Sequence, residues 1–187
     1  MLIRSASPDL AHPGSQTTGA QMVHFMLKPP AFEAAHIEFF CRHLGLIRNH
    51  PPSQFHFTLA SFGDFRDLSR SDLSCLVSAA ASLLAEPFQI TLDKSQGCEL
   101  VGSDMRKLRT FQRMLVRRLR AFGFDIPARK FRPHLSLVYD KERTRQTSIA
   151  PFSWIADEFL LINSIHGHGH KVLGSWQLSK RQGELFL

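Results

Sequence analysis

The chain has 187 residues, of which 43% are hydrophobic, an ordinary content for one globular domain or two tightly joined lobes. Its 23 lysine and arginine residues against 16 acidic ones give a net charge of +7, which favours a polyanionic partner such as RNA as readily as a generic basic surface. The three cysteines have no close spacing, which excludes a disulfide framework and a zinc finger and favours reduced thiols in the cytoplasm.

The first twenty residues are rich in proline, glycine, serine and threonine. They contain no apolar run long enough for a signal peptide or a membrane span. We therefore predict a flexible N-terminal extension over residues 1–20 and one folded domain over residues 21–187. We expect a cytoplasmic protein without a membrane partner.

The first half of the folded domain predicts strands that alternate with helices. Alternating apolar and polar residues indicate a half-buried strand over residues 22–28, and a helix follows over residues 31–46. The predicted inner stripe of this helix is Phe32, Ala35, Phe39 and Phe40. A second strand ends near Gly63, and Ser69 or Ser71 is placed to cap the next helix. The apolar face of that helix is Leu73, Leu76, Val77, Ala80, Leu83 and Leu84.

The middle of the chain predicts a strand pair and the longest helix. A strand over residues 88–92 is followed by a partner over residues 97–101. Ser103 is predicted to open the helix and Gly123 to end it. The predicted buried stripe is Leu108, Phe111, Leu115, Leu119 and Phe122. The opposite face carries Arg106, Arg109, Arg113, Arg117 and Arg120. We interpret this row as a solvent-exposed helix face rather than as a surface that binds a phosphate backbone.

The last part predicts a strand over residues 130–139, a charged loop over residues 140–148, and two further strands over residues 158–165 and 172–178. The run His166-Gly167-His168-Gly169-His170 lies between those two strands. Alternate histidines in a hairpin turn can chelate a divalent ion, but no carboxylate or thiolate is near in sequence. The order of strands and helices predicts an α+β fold.

Two stretches of the chain share one pattern: His56-Phe57-Thr58-Leu59 and His134-Leu135-Ser136-Leu137. Successive side chains of a strand point to opposite faces, so each histidine shares a face with its hydroxyl residue while the apolar residues face the core. Two unrelated strand histidines, one solvated and one hydrogen-bonded, would give the same pattern. The tetrapeptides alone therefore leave open whether the two histidines form one catalytic site or are unrelated.

The residues that flank both motifs favour a catalytic interpretation. Pro51-Pro52 precede the first motif, Ala60-Ser61-Phe62-Gly63 follow it, and Phe131-Arg132-Pro133 precede the second. With these flanks the chain resembles the two-histidine phosphoesterases, in particular the bacterial RNA 2′,3′-cyclic phosphodiesterase family, also called 2′-5′ RNA ligases. Members look like PP-x-x-x-H-x-T-L-x-F-x-G in the first half and F-x-P-H-x-[TS]-L in the second. The resemblance covers roughly residues 22–178.

The resemblance implies two lobes related by a pseudo-two-fold axis, each an antiparallel sheet with outer helices, around a central cleft. It implies a metal-independent phosphodiesterase without a cofactor that hydrolyses RNA 2′,3′-cyclic phosphate ends, to a 2′-phosphate, and that can run in reverse as a 2′-5′ RNA ligase. The catalytic residues it implies are His56, Thr58, His134 and Ser136. By resemblance, His56 is the acid that protonates the leaving oxygen and His134 is the base that activates water, although the pair can exchange roles with reaction direction.

These residue types suit phosphodiester chemistry. Opening a cyclic phosphodiester needs a base and an acid on opposite sides of phosphorus, and histidine titrates near neutrality, so one ring of a pair can be neutral while the other is charged. The two hydroxyls are placed to hold the non-bridging phosphate oxygens. Imidazolium supplies the proton and part of the positive charge, so this chemistry requires no metal.

Three further residues are predicted to bind substrate. Lys130 and Arg132 are spaced to lie near the face of His134, as phosphate contacts or as surface charges. Many RNA-end members look like T-L-A-R after the second motif, whereas this chain has Leu137-Val138-Tyr139. The missing arginine puts their terminal-phosphate contact in doubt, and Tyr139 can stack on a base instead. Another cyclic or 2′-5′ linked nucleotide is therefore the alternative substrate.

Two alternatives come from other functional classes. A non-catalytic basic RNA-binding module accounts for the charge and the arginine row. A metal-dependent protein would use the glycine-spaced histidines. Under the leading interpretation the partners are RNA ends or cyclic nucleotides, no protein partner is evident, and a monomer is expected.

Overall fold

A computed structural model describes Arg4–Ser5 and residues 19–46, 51–127, 130–137 and 146–179. Within these ranges the strands are β1 Arg4–Ser5, β2 Gln21–Leu27, β3 Phe57–Asp64, β4 Phe88–Gln96, β5 Glu99–Val101, β6 Phe124–Asp125, β7 Leu135–Ser136, β8 Gln146–Ala156, β9 Glu158–Ile165 and β10 Gly169–Gln177. The helices are α1 Ala31–His43, α2 Arg70–Ala81 and α3 Arg106–Ala121. Short 3₁₀ turns lie at Pro52–Gln54 and Phe65–Asp67.

The strands form two four-stranded antiparallel sheets, which confirms the predicted α+β class with two lobes. The first sheet has the order β10-β9-β2-β3 and the second has the order β7-β5-β4-β8. Strands β3 and β7, which carry the two motifs, each lie at the edge of their own sheet. The motif strands therefore occupy equivalent edge positions in the two lobes.

One hydrophobic core joins the two sheets. Phe111 of α3 packs against Phe159 of the first sheet, with ring centroids 5.3 Å apart, and against Phe88 of the second sheet at 5.5 Å. Phe57 of β3 and Trp154 of β8 also meet across the sheets at 6.2 Å. Because these rings share contacts, the lobes are two halves of one packed body.

The helix predicted over residues 31–46 exists as α1, but its predicted inner stripe is largely wrong. Phe32 and Phe39 are 68% and 64% exposed. Each packs instead on a histidine one turn along the same helix, with ring centroids 4.1 Å apart for Phe32 and His36 and 4.8 Å for Phe39 and His43. The buried face is Ala34, Ile37 and Cys41. The side of α1 that faces the core therefore carries smaller residues than the predicted stripe.

The start of α2 confirms one of the two predicted caps. The Ser69 hydroxyl accepts from the backbone N–H of Asp72, and the Asp72 side chain reaches back to Ser69, forming a capping box. The buried face of α2 is Leu76, Ala79 and Ala80, while Val77 and Leu84 of the predicted face are exposed.

The start of α3 differs from the prediction. The helix begins at Arg106, whose backbone N–H donates to the Asp104 carboxylate at 3.0 Å. The backbone N–H of Ser103 donates to the Asp93 carboxylate on β4 at 2.8 Å, so Ser103 belongs to the turn before the helix. Gly123 has the left-handed φ of +90° expected of a residue that ends a helix.

Strand β8 was not expected from the sequence, and β7 is shorter than predicted. Within 130–137 only Leu135–Ser136 pair as a strand, and β8 occupies Gln146–Ala156 across the end of the predicted charged loop. Pro151 argues against a strand when the sequence is considered alone. Strand β8 tolerates it because β8 lies at the edge of its sheet, where one side of the backbone needs no partner.

The predicted N-terminal extension falls mostly outside the described residues. Of it, Arg4–Ser5 pair in parallel with Phe124–Asp125, and residues 19–20 lead into β2. The division at residue 20 therefore stays a prediction. Among the described residues no helix has the length and apolar character to cross a membrane.

Candidate active site

The two motif histidines occupy matching local settings. His56 directly precedes β3 and His134 directly precedes β7. The Nδ1 of His56 lies 2.7 Å from the carbonyl oxygen of Gln54, and the Nδ1 of His134 lies 2.9 Å from that of Arg132. A carbonyl only accepts, so Nδ1 of each ring donates its hydrogen. Nε2 is then the nitrogen left for chemistry on both rings, as in other tautomer-fixed histidines.

The two imidazoles lie close enough for their charges to interact. Burial lowers the pKa of His56 most, and the positive charges of Lys28 and His134 lower it further, against the opposing effect of the Gln54 carbonyl. The side chain of His134 is 40% exposed. His56 is also partly exposed, so neither ring is sealed in the apolar interior.

The hydroxyl residues follow the alternation that the motifs predict. Thr58 is exposed on β3, and Ser136 is partly exposed on β7, two residues beyond its histidine. The intervening apolar side chains are buried: Phe57, Leu59, Leu135 and Leu137. Each motif strand thus divides into a core face and a face that carries an imidazole and a hydroxyl.

A polar network from neighbouring strands surrounds His134. Glu99 of β5 is the cross-strand partner of Ser136, and its Oε1 lies 3.8 Å from Nε2 of His134. Arg132 Nη2 donates to Glu99 Oε2 at 2.6 Å and to Gln96 Oε1 at 3.2 Å. The predicted substrate contact Arg132 is therefore near the site but is engaged by these two acceptors.

The other two predicted substrate contacts are less defined. Lys130 is exposed on the segment that leads to His134. Tyr139 lies outside the described residues. Their roles stay predictions.

Two further histidines border His56. The Nδ1 of His24 on β2 lies 2.9 Å from the hydroxyl of Ser61, and burial, with the charge of His56 next, lowers the pKa of His24 to about 4. The ring of His170 on β10 stands edge-on to that of His56, with centroids 5.1 Å apart. Sequence reasoning missed both neighbours and Glu99. For His24 and His170 a signal existed, since each occupies a polar position of an alternating strand, whereas nothing local marks Glu99.

The glycine-spaced histidines separate in the structure. His166 and His168 are exposed in the turn between β9 and β10, and His168 Nδ1 lies 3.1 Å from the carbonyl oxygen of His166. His170 instead faces His56. Within the part of the chain that the structure describes, no three histidine, cysteine or acidic residues are grouped so as to hold a metal ion.

The arginine row of α3 is exposed, as its solvated-face interpretation predicts. Arg106 pairs with Asp104 at 2.8 Å, and Arg120 donates to the carbonyl oxygen of Ile126 at 2.6 Å. Arg106, at one end of the row, is thus neutralised by a carboxylate, and Arg120, at the other end, is held by a backbone carbonyl.

Solved structures of similar fold include LigT of E. coli, TT0787 of Thermus thermophilus and a phosphoesterase. Apo LigT of E. coli matches with a TM-score of 0.68 at 22% identity, covering 87% of this chain and 99% of LigT. LigT complexed with ATP gives 0.70 at 22% identity, with 86% and 99% covered. The protein TT0787 of Thermus thermophilus gives 0.63 at 19% identity, with 86% and 100% covered. LigT also matches in complexes with phosphate and with 3′-AMP.

No protein-family model and no curated protein matches the chain. At these identities the likeness to the solved structures shows the fold. The chain therefore has the two-lobed fold of LigT.

Proposed function

We propose that this protein is a two-histidine phosphodiesterase that opens RNA 2′,3′-cyclic phosphate ends to 2′-phosphates without a metal ion. His56 and His134 supply acid and base, and the hydroxyls of Thr58 and Ser136 hold the non-bridging phosphate oxygens. Lys130 and Arg132 attract the phosphate, and Tyr139 stacks on a base. We expect it to act as a cytoplasmic monomer on RNA ends or free cyclic nucleotides.

One observation carries the proposal. Two imidazoles that are far apart in the sequence begin the edge strands of two different sheets, donate through Nδ1 in the same way, and lie within electrostatic reach of each other. Two unrelated strand histidines would have no reason to share tautomer, strand position and neighbourhood. Acid and base on opposite sides of one phosphorus require this pairing.

The fold comparison supports the same class of ligand. LigT has been crystallised with phosphate, 3′-AMP and ATP, which are phosphate and nucleotide ligands. The net charge of +7 agrees with an anionic substrate.

Turnover of a nucleoside 2′,3′-cyclic phosphate in the presence of EDTA tests the proposal. We expect hydrolysis to one phosphomonoester, and a loss of about 10²–10⁴-fold in kcat for either His56→Ala or His134→Ala. His36→Ala, which removes an exposed imidazole on α1, is the matched control and should leave the rate unchanged. Absence of turnover, or turnover indifferent to both motif histidines, would refute the proposal.

The substrate has one specific alternative. The segment after the second motif lacks the arginine of many RNA-end members, so a different cyclic or 2′-5′ linked nucleotide is the second choice. Comparing kcat/KM for 2′,3′-cyclic, 3′,5′-cyclic and 2′-5′ dinucleotide substrates separates these choices.

The exposed arginine row of α3 favours a second candidate function, a non-catalytic RNA-binding module. This alternative predicts RNA binding that weakens steeply with salt and survives loss of both motif histidines. The row's arginines Arg109, Arg113 and Arg117 would then be the residues whose loss reduces the salt dependence.

A further inference from the structure

Lys28 is the cross-strand neighbour of His56. Leu27 of β2 pairs with Phe57 of β3 in the antiparallel register, and Lys28 and His56 each stand one residue beyond that pair. Cross-strand neighbours project from the same face of a sheet. The side chain of Lys28 therefore lies on the face that carries the imidazole and the hydroxyl of the first motif.

The ammonium group of Lys28 is oriented without being neutralised. Its Nζ donates to the backbone carbonyl oxygen of Ser53 at 2.9 Å, in the turn that leads to His56. Within the described ranges Lys28 takes part in no ion pair. An ammonium has three N–H groups, so two of them are left for an acceptor that carries negative charge.

The second motif offers a cation of a different kind. Arg132 Nη2 donates to the Glu99 carboxylate at 2.6 Å, so a carboxylate already balances the charge of this guanidinium. The three residues after Ser136 contain no arginine that could supply another charge from that strand. Lys28 therefore brings to the motif histidines a positive charge that no carboxylate of the described residues balances.

A partly buried ammonium without a counter-ion is unfavourable. Burial lowers the pKa of the Lys28 amine, and the positive charge of Lys28 contributes to the low pKa of His56. An anion bound beside both groups opposes both effects, because a nearby negative charge favours the charged form of an amine and of an imidazole. A positive charge held in this way is typical of a site that receives an anion.

We propose that Lys28 is a substrate-binding residue whose ammonium donates to a non-bridging oxygen of the phosphate that His56 and His134 flank. It adds, from the first lobe, a charge that is not already paired, as that of Arg132 is. The contact strengthens as water attacks phosphorus, because negative charge then grows on the non-bridging oxygens. This role rests on the proposed phosphodiesterase function.

Lys28→Gln removes the charge while keeping an N–H donor for the Ser53 carbonyl. We expect it to lower kcat/KM for a nucleoside 2′,3′-cyclic phosphate by about 10- to 100-fold, the range for loss of a hydrogen bond to a charged group. Lys107→Gln is the matched control, because it removes one exposed lysine charge on α3. This control should leave kcat/KM unchanged.

Product binding separates a phosphate contact from a structural role. A nucleoside 2′-phosphate and the same nucleoside without phosphate differ only in the group that Lys28 is proposed to bind. We expect Lys28→Gln to weaken binding of the nucleotide by about 10- to 100-fold and to leave binding of the nucleoside unchanged. Inhibition of turnover by each compound gives both affinities, and an unchanged thermal unfolding midpoint shows that the variant is folded.

The outcomes distinguish the two proposals. A wild type that turns over no cyclic nucleotide refutes the phosphodiesterase function, and the role of Lys28 with it. Turnover that Lys28→Gln and Lys107→Gln alter equally refutes the role of Lys28 while the function stands. An equal loss of nucleotide and nucleoside affinity in Lys28→Gln shows that Lys28 only shapes the site through Ser53, and overturns the phosphate contact.

Discussion

The surroundings of His24 strongly oppose its protonation. Its ring is partly buried, bonded to Ser61 and close to His56, and its pKa falls to about 4. His24 is therefore a neutral third imidazole beside His56 at neutral pH. Single side chains thus set the charge state of the site, and their effects can be measured one at a time.

His24 should also make stability depend on pH. The unfolded ring has a pKa near 6.5 and the folded ring about 4, so the unfolded state binds the proton first as pH falls. The low pKa of the folded ring therefore has no effect on the free energy of unfolding above about pH 6.5. Between pH 6.5 and about 4 it lowers that free energy progressively, because only the unfolded ring is protonated there. We expect the free energy of unfolding to fall by about 2 kcal/mol more in wild type than in His24→Gln between pH 7.5 and 4.5.

Urea unfolding at the two pH values gives this difference directly. The effect of His56, whose pKa is also lowered, is present in both proteins and largely cancels. An equal loss of stability in wild type and variant would show that His24 is protonated in the fold without cost.

At the scale of elements, the capping box gives α2 a defined start. The Ser69 hydroxyl accepts from the N–H of Asp72 at 3.1 Å and donates to its carboxylate at 2.7 Å. Ser69→Ala should lower the free energy of unfolding by about 1 kcal/mol, because it leaves an N–H of the first turn without this acceptor. Ser71 lies two residues further along and is exposed, so Ser71→Ala should change the free energy of unfolding by less than about 0.5 kcal/mol. Thermal or urea unfolding checks both, and equal effects would contradict the role of the cap.

Elements with strong local signals could be predicted from the sequence. Strands β2, β4 and β9 follow from alternation or continuous apolar runs, and the Ser69 cap follows from its position before an apolar face. The buried face of α1 could not be predicted, because the exposed Phe32 and Phe39 find partners on their own helix. Strand β8 could not be predicted because its pairing with β4 outweighs the local signal of Pro151.

The site divides in the same way. The exposure of His56, Thr58, His134 and Ser136 beside buried apolar neighbours could be predicted, because each pair lies within one motif and side chains of a strand alternate between its faces. Glu99, His24 and His170 reach the site through the register of other strands. Register is set by the packing of whole sheets, so the alternation that marks His24 and His170 as polar positions does not show that they lie beside His56, and nothing local marks Glu99.

At the scale of the whole molecule, one core holds the two lobes at a fixed separation. Phe111 is buried between Phe88 of one sheet and Phe159 of the other. The proposed placement of two imidazoles on either side of one phosphorus needs this rigidity, since a displacement of about 1 Å can cost 10²-fold in rate. The proposed function therefore depends on the packing between the lobes.

Phe111→Ala should destabilise the protein by about 3–5 kcal/mol, through lost burial and the cavity left between the sheets. Phe32→Ala makes the same chemical change at a ring that is 68% exposed and should cost far less. Circular dichroism and tryptophan fluorescence should report one shared unfolding transition, because both sheets contact the same ring. Two separate transitions would show that the lobes are independent domains.

The proposed function requires that His56 and His134 flank one phosphorus. A crystal structure with a bound nucleoside 2′-phosphate measures this. We expect Nε2 of both rings to lie within about 3 Å of oxygens of the same phosphate. A phosphate bound to only one of the two rings, or bound only along the arginine row of α3, would contradict the proposal.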